Sequence, residues 1–280
     1  MEIINYLLEP FTYGFMQKAF IIIFFVSIPT ALLSCFLVLK GWALMGDSVA
    51  HSILPGVVIS YIIGIPFLIG AFIAGIVSSI LTGFLSENSR IKEDTVMGIV
   101  FSSMFALGIV LISKIDTSVH LDHILFGDLL GIVSSEIIQT GLIGLSVLII
   151  ILIKGPDFMV YVFDPMHAKA LGMPVSFLRY ALLAVLSLTI VGALQAVGMI
   201  LVIALLITPA AIAHLLTNRL NQMIKLSVCI SLVGCFTGIY LSYFIDSAPA
   251  PTIIVVLAIA FIVAFISVIS KKDPLSLIHI

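Results

Sequence analysis

The chain has 280 residues, of which 62% are hydrophobic and only 9% charged, with 12 basic and 14 acidic side chains for a formal net charge of −2. About a quarter of an ordinary water-soluble domain is charged, so water is not the main solvent of this fold. The three cysteines, Cys35, Cys229 and Cys235, fall inside apolar runs, which makes them small packing residues and excludes a disulfide framework or a metal-finger spacing.

Apolar stretches of the about 20 residues needed to cross a bilayer follow one another along nearly the whole chain. The predicted spans are 17–39, 44–64, 66–85, 95–114, 133–153, 176–195, 197–215, 223–245 and 251–270, nine in all, or eight if one is re-entrant. Lipid offers the backbone no hydrogen-bond partners, so each span is read as a helix. No segment of soluble-domain size lies between them. The fold class is therefore all-α, a polytopic membrane protein with residues 1–280 forming one membrane domain.

The first run, 19–39, is too long for the apolar part of a signal peptide and lacks a basic leader, so it is expected to be a retained helix. Within it, Leu32-Leu33-Ser34-Cys35 resembles a lipoprotein processing box, but the run continues through Phe36, Leu37, Val38 and Leu39.

The second span breaks the hydrophobic rule with Gly46-Asp-Ser-Val-Ala-His-Ser-Ile-Leu-Pro-Gly56. Asp47 and His51, spaced i and i+4, share one helix face, so a carboxylate oxygen and an imidazole nitrogen can converge on one ion. Oxygen with nitrogen suits Mn²⁺, Fe²⁺ or Zn²⁺ and suits thiophilic Cu⁺ poorly. The bland alternative is that the pair satisfies itself and serves as packing glue. Pro55 has no N–H to offer the His51 carbonyl four residues earlier, which is expected to free that oxygen as a further donor or simply to kink the helix.

Polar breaks at 86–94, 114–128, 154–173, 217–225 and 246–251 separate the remaining spans. With the C-terminus inside and nine alternating spans, Lys40, Arg90, Lys92, Lys154, Lys169, Arg179, Arg219, Lys225, Lys271 and Lys272 face the cytoplasm, and only Lys18 and Lys114 lie outside. The outer face carries Glu2, Glu9, Asp116, Asp122, Asp128 and Asp246, a surface that either concentrates cations or is ordinary solvated loop. His120 and His123 flank Asp122 there as a weak candidate cation site. His214 falls at a cytoplasmic helix end, where packing is the default. The chain carries neither a GxxxxGK[ST] phosphate loop nor an HExxH helix, so ATP hydrolysis would reside on another chain and a zinc intramembrane protease is not supported.

Five blocks in fixed order carry a family resemblance: Phe15-Met-Gln-Lys-Ala19, Leu44-Met-Gly-Asp-Ser-Val-Ala-His-Ser-Ile-Leu-Pro-Gly56, Ile124-Leu-Phe-Gly-Asp128, Asp164-Pro-Met-His-Ala-Lys-Ala-Leu-Gly172 and Leu201-Val-Ile-Ala-Leu-Leu-Ile-Thr-Pro-Ala-Ala211. Over nearly all its length the chain resembles the ABC-3 family of metal-ion ABC transporter permeases, which share a type II importer fold with cobalamin and siderophore permeases. The resemblance implies that Asp47 and His51 coordinate the transported ion. It also implies that a coupling segment, about 164–174, docks onto the ATPase, with Asp164, Pro165, Ala168, Leu171 and Gly172 as its key positions. Residues 208–220 are similar to a cytoplasm-facing turn of the wider fold. The outer stretch 119–131 is more similar to manganese and iron importers than to zinc importers. The final outer turn, Asp246-Ser-Ala-Pro-Ala-Pro-Thr252, departs from relatives that carry a glycine near the second proline.

The partners so implied are an ATP-binding cassette subunit, an extracytoplasmic metal-binding protein, a second permease chain, identical or related, and the lipid of a bacterial inner membrane. No nucleic-acid partner and no resident cofactor are implied, manganese, iron or zinc being cargo. Three other readings are kept: a permease for a metal chelate such as a siderophore or cobalamin, an intramembrane enzyme, and a passive scaffold.

Overall fold

The computed structural model of the protein describes residues 6–114 and 127–271, and among them every regular element is helical. A turn of 3-10 helix, Glu9–Thr12, leads into α1 (Gly14–Lys40). Next come α2 (Ala43–Ser52) and α3 (Leu54–Ile63), two halves of one span, then α4 (Phe67–Asn88), α5 (Glu93–Ile112) and α6 (Ser134–Phe163). The short α7 (Pro165–Ala170), α8 (Val175–Val197), α9 (Met199–Leu216), α10 (Leu220–Ile245) and α11 (Pro249–Lys271) complete the chain. With α2 and α3 taken together, nine helices among the described residues are long and apolar enough to cross a membrane. The protein is a multi-pass all-α membrane protein, as its hydropathy pattern predicts.

One predicted boundary moves substantially. The span expected to stop at residue 153 runs on to Phe163, because the polar residues beyond it are accommodated by the helix itself. Lys154 Nζ lies 3.1 Å from Asp157 Oδ2 one turn on, while Phe158, Tyr161 and Val162 keep a buried apolar face.

α1 sits at the centre, packed on α6, α9 and α10, and α8 packs on α4 and α6. α5 and α11 turn large apolar side chains outward, Ile99, Leu107 and Val110 on one and Val255, Ile259 and Ile262 on the other. Lipid is as apolar as leucine, so small and hydroxyl-bearing residues define the inner faces. Ser227 Oγ donates to the Ala31 carbonyl at 3.0 Å and Ser231 Oγ to the Ser27 carbonyl at 3.2 Å, joining α10 to α1. α3 and α4 cross at Gly56 and Gly70, so close that a methyl on Gly56 would lie 2.0 Å from the Gly70 carbonyl oxygen. Cys35 and Cys235 are buried, in line with a packing role, whereas Cys229 points outward.

The charged helix ends fit the alternation of the spans. Lys40 at the end of α1, Glu87 near the end of α4, Glu93 at the start of α5, Tyr161 near the end of α6 and Arg179 near the start of α8 meet in one cluster. The opposite end gathers Tyr13, Tyr240, Tyr243 and Phe244 around Glu9 in an aromatic group of the kind that marks a membrane interface.

Candidate functional site

Asp47 and His51 lie on α2, which ends at a break on Ile53 where Pro55 opens the second half-span. Proline withholds one N–H from the helical ladder. The Ile53 N–H turns to the His51 carbonyl instead, which engages one of the two lone pairs of this oxygen. His51 Nδ1 stands 3.1 Å from Asp47 Oδ1 and 3.1 Å from the Asp47 carbonyl. Both acceptors belong to one turn of helix, so Nδ1 is the ring nitrogen that carries a proton, and Nε2 is the one that offers a lone pair when the ring is neutral. That is the arrangement in which a carboxylate orients a metal-binding histidine.

The ring is held edge-on by Phe101 and Phe105 of α5, with centroids 5.5 and 5.3 Å away. These phenylalanines shape the site and are not evident from the sequence, where they read as ordinary lipid-facing residues of an apolar span. The pair itself stays open: the Asp47 side chain is 35% and the His51 side chain 26% exposed. Among the described residues no group of three or more His, Cys, Asp or Glu gathers into a metal site, so Asp47 and His51 stand as a pair.

The segment 164–172 folds as its sequence dictates. Asp164 caps α7, its Oδ1 accepting from the N–H groups of Met166 at 2.9 Å and His167 at 3.0 Å, and Pro165 takes the first helical position, where a missing N–H costs nothing. Gly172 closes the turn at φ +77, a left-handed conformation that glycine adopts without strain. Ala168, expected on the docking face, is 0% exposed and faces the body of the chain. A six-residue helix packed on its own bundle must turn one face inward, and Ala168 is on that face. Met166, 75% exposed, and Leu171 project outward instead.

Residues 12–268 match the ABC 3 transport family. The chain belongs to that family. It is 52% identical over 258 residues to the "Chelated iron transport system membrane protein YfeD" of Yersinia pestis, covering 92% of this chain and 87% of that one. It is 46% identical over 262 residues to the "Manganese transport system membrane protein MntB" of Synechocystis sp., covering 94% and 86% respectively. Among solved structures, "PsaBC from Streptococcus pneumoniae in complex with Fab" superposes with a TM-score of 0.84 at 38% identity, over 94% of this chain and 95% of that one.

Of the other positions weighed in this ABC 3 family chain, His120, Asp122 and His123, with Asp116, lie outside the described residues. His214 is exposed at the end of α9, and Asp246 ends α10 in the left-handed region at φ 55. Gly127, next to Asp128, packs closely on backbone: a methyl there would lie 2.4 Å from the Gly198 nitrogen at the α8–α9 break.

Proposed function

We propose that the chain is the membrane-spanning permease of an ATP-driven importer that carries manganese(II) or iron(II), with zinc(II) as a further cargo suited to the same donors, into a bacterial cytoplasm. The observation that carries this reading is the half-open carboxylate–imidazole pair on a broken membrane helix. An ionisable pair in the hydrocarbon region is costly wherever lipid covers it, so its open face is turned to a conduit. Asp47 and His51 Nε2 supply one hard and one borderline donor, the set that suits first-row divalent ions. Water, or the same pair from a second permease chain, identical or related, completes the coordination. The name of the manganese transport relative supports the same cargo, while the chelated iron in the name of the other relative supports iron and keeps a chelate as the alternative to be tested.

ATP hydrolysis resides on a separate ATP-binding cassette subunit, which α7 and its flanks meet through Met166 and Leu171, with Asp164, Pro165 and Gly172 setting the shape of the turn. A metal-binding protein outside the membrane delivers the ion. No resident cofactor takes part.

The deciding experiment is uptake by the permease reassembled in vesicles with its ATPase and binding protein. Free manganese(II) or iron(II) should accumulate with ATP, whereas a permease for chelates would accumulate iron only as its chelate and fail on the bare ion. Docking is checked separately: a cysteine replacing Met166 should crosslink efficiently to the ATPase subunit and one replacing Ala168 should not. Crosslinking at neither position, nor at Leu171, would move the docking surface elsewhere.

A further inference from the structure

Arg179 is the only charged residue between Lys169 and Arg219, and it is mostly buried, its side chain 16% exposed. Its Nη1 pairs with Glu87 Oε1 at the end of α4, while its Nη2 stops 3.8 Å from Glu93 Oε1 at the start of α5. Two buried polar atoms in this contact, Arg179 Nε and Glu93 Oε1, have no hydrogen-bond partner among the described residues. Buried charged groups are ordinarily saturated with hydrogen bonds, because an unmet one keeps the full penalty of leaving water. The unmet Glu93 Oε1 is the atom that Arg179 Nη2 approaches to 3.8 Å, and a shift of about 1 Å would bring that pair to hydrogen-bond distance. The guanidinium is held by one carboxylate with a second within reach.

The cluster extends to the parts of the protein that the transport cycle must connect. Tyr161, which borders the Arg179 guanidinium, lies just before Asp164, and Arg179 lies just after Gly172, so the two bracket the segment assigned to the ATPase. The Tyr161 ring also receives Lys40 Nζ at 4.6 Å and meets Trp42 edge to face at 6.5 Å. Lys40 and Trp42 lead directly into α2, which carries Asp47 and His51. Glu93 opens α5, which carries the two phenylalanines that hold the His51 ring. Both ends of the coupling segment and the starts of α2 and α5 are therefore joined through Tyr161 and Arg179.

We propose that Arg179 is a positioning residue that transmits the ATPase stroke to the ion site by passing between Glu87 and Glu93. This rests on the reading of 164–172 as the docking segment. Displacement of that segment carries Tyr161 and Arg179 with it. Exchange of the guanidinium from α4 to α5 then moves the start of α5 relative to α2, and with it the Phe101 and Phe105 walls around His51. Arginine suits the role because its planar fork can bridge two carboxylates, whereas a lysine offers a single point charge.

The test uses the transporter reconstituted with its ATPase and binding protein, and reads manganese(II) ions moved per ATP hydrolysed. Arg179→Gln and Glu93→Gln should each lower that ratio by about tenfold or more, the scale of a coupling energy, while ATP hydrolysis stays within about twofold. Glu87→Gln removes only the resting partner, and should instead raise hydrolysis in the absence of binding protein several-fold. Two controls separate this proposal from the reading beneath it: equilibrium manganese(II) binding reports on Asp47 and His51, and the Met166 cysteine crosslink reports on docking. With both controls intact, an unchanged ratio in Arg179→Gln overturns the proposal. Identical behaviour of Glu87→Gln and Glu93→Gln overturns it too, because a static clamp would not distinguish its two anchors. If Arg179→Gln does not assemble, Glu93→Gln, a change of one carboxyl to an amide at a helix start, decides the question alone: a lowered ratio supports the exchange and an unchanged one overturns it.

Discussion

Asp47→Asn is expected to lower manganese(II) uptake by about a hundredfold or more, since even second-shell partners of a metal site cost about 10–100-fold in affinity or activity, while the protein inserts normally and unfolds at no lower a temperature than the parent. The two halves of that result have one cause. Asparagine keeps the volume and hydrogen-bonding reach of the side chain toward His51 Nδ1, 3.1 Å away, but removes the charge that attracts a divalent ion. The carboxylate is also a burden on the membrane-inserted chain wherever lipid covers it. If the pair were packing glue, the signs would reverse: stability would fall and transport would change only in proportion to the amount of folded protein. His51→Gln should behave like Asp47→Asn in uptake because it removes the Nε2 lone pair. Thermal unfolding of the purified protein beside vesicle uptake measures both quantities, and parental uptake in both variants would take the pair out of the ion path.

The pair was legible because ionisable residues one turn apart in an apolar run have few explanations. The spans were legible for the same reason, apolar length being a strong signal whatever the packing. What the sequence hides are features that hydropathy and periodicity do not encode, some of them local pairings and some contacts between distant segments. The continuation of α6 to Phe163 depends on Lys154 and Asp157 meeting on the helix surface, and a hydropathy reading sees only charges that end a span. The inward turn of Ala168 depends on which side of a one-turn helix lies against the bundle. Arg179 looks like one more cytoplasmic positive charge until the fold brings it to Glu87, 92 residues away in sequence. The carbonyl expected to be free beside Pro55 is met by a neighbouring N–H, because a backbone leaving one helix for another finds local partners that a periodicity rule does not include. The ordering of these features is physical: burial of a run is local information, and the orientation of a side chain within the bundle is not.

The half-span that follows the Asp47–His51 helix is anchored by a crossing that tolerates no side chain. On α3 a Cβ at Gly56 would stand 2.0 Å from the Gly70 carbonyl oxygen and 2.6 Å from the Ala74 Cβ, and reciprocally a Cβ at Gly70 would meet the Gly56 carbonyl oxygen at 2.3 Å. The obstacles are backbone atoms, so rotamer changes cannot relieve them, and the helices must separate. Gly56→Ala should therefore cost more than the about 1–3 kcal/mol usual for an inserted methylene and lower the unfolding temperature by about 10 °C, on the scaling of about 2–4 °C per kcal/mol for chains of this order of size. Gly98→Ala supplies the comparison: it lies inside α5 with nothing within 4 Å of the new methyl, and there alanine should be neutral or stabilising by about 0.4–1 kcal/mol through the unfolded chain. The contrast tests the packing itself, since the two substitutions are chemically identical and differ only in what the methyl meets. Equal unfolding temperatures for the two variants would show that α3 and α4 are free to move apart. A lower one for Gly56→Ala alone would place the support of the Asp47–His51 helix in a contact between two backbones.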